Sequence, residues 1–555
     1  MPSPSTYSIT TPIYYVNDKP HIGHCYTTVV ADAAARLARL CGRETFFLTG
    51  TDEHGQKVEK SAAARNTTPQ ALADENAKYF QEAMAEVGAS NDDFIRTTQA
   101  RHTRQVQSAF ARLIASDDIY LGTFEGWYDE GQEEYVTETQ AKEREYKGFN
   151  GAPLKRATEQ NYYFRLSKWQ PALEKFFAEH PGFIRPEARF NEVRGRLREG
   201  LMDVPFSRTN FTWGIPVPNA PGHVMYVWID ALLNYATALG VVDPKIAAEL
   251  GVPSGRAGFW PTDVHVIGKE ILWFHAVIWP AMLMALKMDL PARVYAHSFW
   301  ISEGKKMSKT LGNFIDLPTL RAYIDRFGLD ALRWYLLTQG PLKETDADFS
   351  YAKFVEVYNA DLANGIGNCA SRVGNMIEKY FGGRIPEVER GADLAWTRYT
   401  PEGHTGFDFF ALTHDAAAAA QKALDEFRID EALLQGITLI GQIDLFINHT
   451  RPFSLAKEID KAQGEEAAAL RRRLAHILYL CAEGVRVASL LLSPAMPGKM
   501  AQLWKGWNCE PAAGVPLSEL AVFGGVYGLK PGQTIAKGEA LFMRAKAEDP
   551  APIAV

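Results

Sequence analysis

An α/β protein with a split parallel sheet and an insert, followed by an all-α helix bundle, is what this sequence predicts, on three observations. Extended and helical patterns alternate through the first third; the alternation lapses from about Ser116 to Gly222 and then returns; from Tyr351 onward almost every segment carries a 3.6-residue periodicity. At 555 residues the chain exceeds one hydrophobic core, and ~100–200 residues per domain imply roughly three to five compact units, some inserted in others.

Each element has its signal. "TYSITTPIYY" reads as a strand, and "YTTVVADAAARLARLCG" puts Val29, Val30, Ala33, Leu37 and Leu40 on one helical stripe that Gly42 stops. "ETFFLTG" is a second buried strand, the way a parallel sheet begins. In "GTFEGWYDEGQEEYVTE" and "NYYFRLSKWQ" aromatic, glycine and charged residues interleave without a βα rhythm, as in an inserted domain. The rhythm returns with "YVWIDALLNYATAL" as helix, "DVHVIGKE" as strand, "ILWFHAVIWPAMLMAL" as helix and "RVYAHSFWI" as strand. "YNADLANGIGNCASRVGNMIEKY", "DFFALTHDAAAAAQKALDEF", "DEALLQGITLIGQIDLFI" and "LRRRLAHILYLCAEGVRVASLLL" then read as bundle helices. The implied boundaries are 1–115 and 223–300 for the halves of the sheet domain, 116–222 for the insert, 301–350 for a basic-loop region and 351–555 for the bundle.

Composition narrows the class. With 46% hydrophobic and 23% charged residues the chain is an ordinary globular one. "MPSPSTYS" has no leader pattern, and charge interrupts the apolar runs short of the ~18 residues of a membrane span. The five cysteines (Cys25, Cys41, Cys369, Cys481 and Cys509) are scattered without any CxxC. That argues against a disulfide framework and a cysteine zinc site and fits a reducing, cytoplasmic compartment. A net charge of -7 provides no global positive field, so RNA binding would rely on local basic or stacking surfaces.

Two short motifs carry the chemistry. "PHIGHC" sits between a strand and the helix after it, where unpaired N–H groups favour anions. His21 and His24 have three readings there: metal ligands, core histidines, or donors to a phosphate chain that Gly23 lets approach. "GKKMSKTLGN" sets Lys305, Lys306 and Lys309 in a loop after the last strand of the split sheet. Alone it is a solvated basic turn; combined with HxGH it suits the charge on a triphosphate losing pyrophosphate.

"HIGH" at 21–24 and "KMSKT" at 306–310 resemble the paired signatures of class I aminoacyl-tRNA synthetases. With "PIYYVNDKPHIGH", "GTDEHGQK", "YVWIDALLNY", "VIGKEILWFHAVIWPAML" and "KMSKTLGN", the chain is similar to the methionyl-tRNA synthetases from about Tyr7 to Lys457. The resemblance implies a Rossmann-like catalytic domain, an inserted connective-peptide domain, a KMSK loop with a stem-contact region and a helical anticodon-binding domain. It also implies ATP with Mg²⁺, L-methionine and tRNA(Met) with anticodon CAU as substrates. His21, Gly23, His24, Gly268, Glu270, Lys306, Met307, Ser308 and Lys309 would hold ATP, with His21, His24, Lys306 and Lys309 catalytic. Ile13, Tyr15, Trp228, Ala231, Leu232, Tyr235, Ile271, His275 and Trp279 would form the methionine pocket. Asp52 would receive the substrate ammonium, and Arg208 would lie near the active site. Helical spacing puts Ile271, His275 and Trp279 on one face, and likewise Asn364, Asn368 and Arg372. The latter three, with Phe453 where the family has a tryptophan after proline, would read the anticodon.

The sequence departs from many relatives in one respect. Where their first zinc knuckle reads YCxxCE this chain has "YDEGQEEY", with Asp129 and Gln132 at the cysteine positions. No structural zinc is therefore expected. The chain stops soon after "EALFMRAKAEDP", without the added tRNA-binding module of dimeric relatives, so a monomer is expected. Three rivals are weighed. Leucine, isoleucine and valine synthetases need a larger editing insert than these roughly one hundred residues. An RNA-independent adenylyltransferase would not need the long helical region, and a non-catalytic paralogue would not need both phosphate signatures.

Overall fold

The computed structural model describes all residues except 1–4, 18, 130–133, 137, 150, 303, 306, 308–312, 392, 404, 537, 547–550 and 552–555. Six parallel strands form the central sheet: β1 (Thr6–Tyr15), β2 (Glu44–Asp52), β3 (Asp93–Arg96), β4 (Ile184–Arg185), β5 (Val264–Gly268) and β6 (Val294–His297), in the order β3-β2-β1-β5-β6-β4. Both faces are covered, which is why β5 is buried at every position and its sequence does not alternate. Strand order reverses between β1 and β5, and beyond the carboxyl ends of such a pair a crevice opens.

One face packs helix α1 (Ile22–Leu40), whose core runs on through Leu332, Trp334 and Leu336 into the C-terminal helices. The other face packs helix α2 (Val227–Thr237) and helix α3 (Trp279–Ala285). Buried Arg333 ties these parts together: it donates to Asp32 of α1 at 2.6 Å and to the carbonyls of Val87, Pro494 and Ala495 at 2.9 Å each.

A four-stranded antiparallel sheet of Glu134–Val136, Ile119–Asp129, Lys155–Phe164 and Val204–Pro205 occupies much of the stretch expected as an insert. That stretch is not wholly separate, because β4 lies within it and pairs in parallel with Val294 and Tyr295. Two residues are too few to leave a periodic signal.

The helices after Tyr351 include α4 (Asn368–Phe381), α5 (Ile429–Thr450) and α6 (Gly464–Leu492). By length and composition α6 could cross a membrane, but its apolar run is interrupted by Glu483 and Arg486 and it is a buried core helix. Its two buried charges, Glu483 and Arg486, neutralise each other through two bonds of 2.8 and 2.9 Å.

Candidate active site

The crevice at the β1/β5 switch point holds a cavity of about 350 Å³, lined from β1 by Ile13 and Tyr15, from the start of α1 by His21, Gly23 and His24, and from the end of β2 by Asp52. Trp228, Ala231, Leu232 and Tyr235 of α2 line it too, with Gly268, Glu270, Ile271 and His275.

The two histidines cap α1 reciprocally. His21 Nδ1 accepts from the Gly23 N–H at 3.0 Å, and His24 Nδ1 accepts from the His21 N–H at 3.2 Å. These bonds satisfy two amides that a helix start leaves open. They also fix the tautomer: with Nδ1 accepting, a neutral ring carries its proton on Nε2. Burial, aided by the neighbouring His21, holds His24 well below the usual histidine range, so it is a neutral donor. Adding a Cβ at Gly23 would bring it within 2.9 Å of the His21 ring.

Described residues flank the basic segment on both sides. On one side Ser302 and Lys305 exchange backbone bonds of 2.8 and 3.0 Å around Gly304 at φ +74. On the other, the Ile22 N–H donates to Ile315 O at 3.1 Å and the Phe314 ring meets the His21 ring at 5.3 Å. Met307 packs on the core. Lys306, Ser308 and Lys309 lie outside the described residues.

The apolar end is aromatic and uncharged. Trp228 stacks on Phe274 at 3.8 Å. His275 Nδ1 donates to Ile271 O at 3.0 Å, leaving Nε2 to accept from the Tyr235 hydroxyl at 2.8 Å. Burial lowers His275 to about 4. Burial also raises the Glu270 carboxyl above the usual range. A soft thioether suits such a wall.

Helical spacing misplaced two residues, Trp279 and Asn364. Phe274–Ile278 is a π turn, which adds a residue to the turn, so Trp279 rotates off the face of Ile271 and His275. It stands behind the wall, donating to His265 Nε2 at 3.2 Å, while the Tyr235 ring packs on His265 at 4.2 Å. Tyr358–Gly367 is likewise a π segment broken at Gly365 (φ -82, ψ -113), so Asn364 does not share a straight α-helical face with Asn368 and Arg372. Asn364 and Asn368 are exposed, Phe453 is 45% exposed, and Arg372 donates to Asp444 of α5 at 3.0 Å.

Arg208 does not line the cavity; it is buried in a two-stranded pair with Val224, its guanidinium donating to the Tyr128 hydroxyl at 2.9 Å. Lining residues that sequence reasoning missed are Pro12, Tyr14, Thr27, Lys57, Val227, His297 and Phe299. Thr27 Oγ1 pairs with His297 Nε2 at 2.7 Å. His297 ends β6, and its place at a strand terminus was the only signal available.

Among the described residues no group of three His, Cys, Asp or Glu side chains is placed to hold a metal ion. At the first knuckle position Asp129 is buried and accepts from the Phe149 N–H at 2.9 Å, with Gly148 so close that a Cβ would sit 2.6 Å from its carboxylate. A carboxylate thus organises that turn. Gln132 lies outside the described residues.

The family profile described as "tRNA synthetases class I (M)" matches residues 7–145 and 149–374, so the chain is a class I tRNA synthetase. The methionine–tRNA ligase of Halalkalibacterium halodurans is 41% identical over 98% of this chain and 79% of its own length. That of Streptomyces coelicolor is 40% identical over 98% and 97%. The structure of Mycobacterium tuberculosis methionyl-tRNA synthetase in complex with methionyl-adenylate superposes with a TM-score of 0.83 at 34% identity, covering 97% of this chain and 100% of that one. This chain belongs to the methionyl-tRNA synthetase family.

The buried neutral histidines predict a pH dependence. Burial lowers His275 and His297 to about 4, against 6.5 when unfolded, and also holds His24 and His265 well below the usual range. A depressed histidine contributes stability that is fully present above pH 6.5 and is lost as pH falls toward 4, because the unfolded chain then binds more protons. His297→Gln is expected to flatten the fall in unfolding free energy between those pH values by up to about 1.4 kcal/mol per pH unit. Urea titrations at several pH values check this, and an unchanged slope would refute it.

Proposed function

We propose that this chain ligates L-methionine to tRNA(Met) in two steps, through a methionyl-adenylate, releasing diphosphate and AMP. The observation that carries the reading is one cavity in which two histidines that cap a helix start face an aromatic wall, with Phe314, past the far end of the lysine segment, against the first histidine.

The methionine carboxylate attacks the α-phosphorus of ATP in line and pyrophosphate leaves; the terminal ribose hydroxyl of tRNA then displaces AMP. No side-chain nucleophile is required, so catalysis rests on positioning and on donors placed where charge develops. His21 and His24 hold the triphosphate through Nε2–H, and Lys306 and Lys309 close on it. Gly23 admits the phosphates, Met307 and Ser308 belong to the closing loop, and Gly268 and Glu270 contact the adenosine. Asp52 receives the ammonium; Ile13, Tyr15, Trp228, Ala231, Leu232, Tyr235, Ile271 and His275 surround the side chain, with Trp279 behind them. Arg208 stiffens the wall of the insert from outside the cavity.

Mg²⁺ enters with ATP as part of the substrate. The parallel-sheet halves form the catalytic domain, the antiparallel sheet serves as the connective domain, and the helical region reads CAU. The enzyme works as a monomer in the cytoplasm, in keeping with five free cysteines. Methionine-dependent exchange of labelled pyrophosphate into ATP, with and without tRNA, tests the reading: exchange without tRNA is expected, and none in either case would end it. Metal analysis after dialysis is expected to find no stoichiometric zinc; retained zinc, with activity lost to a chelator, would overturn the role given to Asp129.

A further inference from the structure

Asp52 is followed by two residues that are fixed in different directions. Glu53 is fully buried and turns back to the sheet: its carboxylate accepts from Arg96 at 2.6 and 3.0 Å, from Thr51 at 2.7 Å and from Thr98 at 2.6 Å. His54 turns the other way, across to α2, where its Nδ1 lies 2.6 Å from Asp230 Oδ2. The other oxygen of Asp230 lies 2.6 Å from His102 Nε2, so both are taken by imidazole nitrogens. Burial disfavours a charge on Asp230, but His54 and His102 outweigh it and hold the carboxyl below the usual range. As a carboxylate it can only accept, so both imidazoles donate to it.

Asp230 is 1% exposed and does not line the cavity. Its helix, however, carries Trp228, Ala231, Leu232 and Tyr235, which do. We propose that Asp230 is a positioning residue: through His54 it sets the separation between Asp52 and the wall of the methionine pocket, and so makes the site select an amino acid that carries both a free ammonium and a side chain of the right length. Only two peptide units separate Asp52 from His54, so a charged bond of 2.6 Å at His54 transmits the position of α2 to the end of β2 with little slack. Helix α2 cannot slide in response, because His102 holds the same carboxylate from the helix Ala100–Ala115 and also bonds Thr237 of α2 at 2.7 Å. The inference rests on the reading of Asp52 as the ammonium partner.

The test uses the full chain in pyrophosphate exchange, with the inhibition constant of 4-(methylthio)butanoate, which keeps the thioether and carboxylate and lacks the amine. Asp230→Asn is expected to raise KM for methionine roughly tenfold, about what one charged hydrogen bond is worth. KM for ATP, kcat and the inhibition constant of the deaminated analogue should stay within about twofold. Should Asp230→Asn not fold, His54→Leu is expected to show the same split, and His54→Asn, which restores a donor near the Nδ1 position, to recover most of it. An equal loss for methionine and its deaminated analogue, no loss for either, or no recovery in His54→Asn would overturn the proposal. Asp52→Asn tests the underlying reading separately: if it weakens methionine no more than the analogue, the ammonium assignment fails whatever the Asp230 variants do.

Discussion

Lys309→Ala is expected to slow methionine-dependent pyrophosphate exchange about 10²–10³-fold while leaving equilibrium binding of methionine within about twofold. The reason is the timing of charge. Negative charge builds on the leaving pyrophosphate only as the bond to the α-phosphorus breaks, so a cation placed there acts mainly in the transition state. The described flanks, Ser302–Lys305 on one side and Phe314–Ile315 beside His21 on the other, bracket Lys309 in the sequence. His21→Ala and His24→Ala should resemble it in kind with one difference. Each also deletes a cap bond of α1, so each should lower stability by about 1 kcal/mol, which Lys309→Ala should not. An isothermal titration in which Lys309→Ala loses methionine affinity as steeply as rate would show a structural loop instead.

The sheet was readable because its strands are long apolar runs divided by helices with clear stripes; β1, α1 and β2 follow their sequence signals closely. Lining residues such as Ile13 and Asp52 were readable only through the family resemblance, which fixes their place on those strands. The failures have a common physical cause. Side-chain direction was inferred from ideal α-helical spacing, and two π segments, Phe274–Ile278 and Tyr358–Gly367, change that spacing where functional residues cluster. A π turn leaves no mark in residue type, so the displacement of Trp279 and Asn364 is set by packing that local pattern does not encode. The second role of the histidines, as each other's helix cap, was hidden too, because caps are usually Ser, Thr, Asp or Asn. The bond between His54 and Asp230 joins residues 176 apart in sequence and has no local signature.

Arg372→Ala and Phe453→Ala are expected to reduce tRNA charging steeply while leaving tRNA-independent pyrophosphate exchange near normal. Unpaired loop bases are held by stacking on aromatics and by hydrogen bonds at their edges, with stacking worth ~1–3 kcal/mol per base, or ~5–150-fold. Phe453, 45% exposed in the first turn of the helix Pro452–Ile459, has a ring open for such stacking. A phenyl ring covers less of a base than an indole and has no N–H, which places its loss toward the lower end of that range. Arg372 is half-buried and held at 3.0 Å by Asp444, so its guanidinium is pre-oriented by a partner on α5. Burial raises the Asp444 carboxyl even against Arg372, and a base that accepts from the guanidinium gains a donor already desolvated on one side. Asn368 precedes Arg372 by one helical turn in α4 and should matter next; Asn364 lies across the break at Gly365 and should matter least. Charging and exchange measured side by side for the four alanine variants give the answer. If both activities fall together, or neither falls, this surface does not read the anticodon; if Asn364→Ala is as damaging as Arg372→Ala, the break at Gly365 does not separate them in the complex.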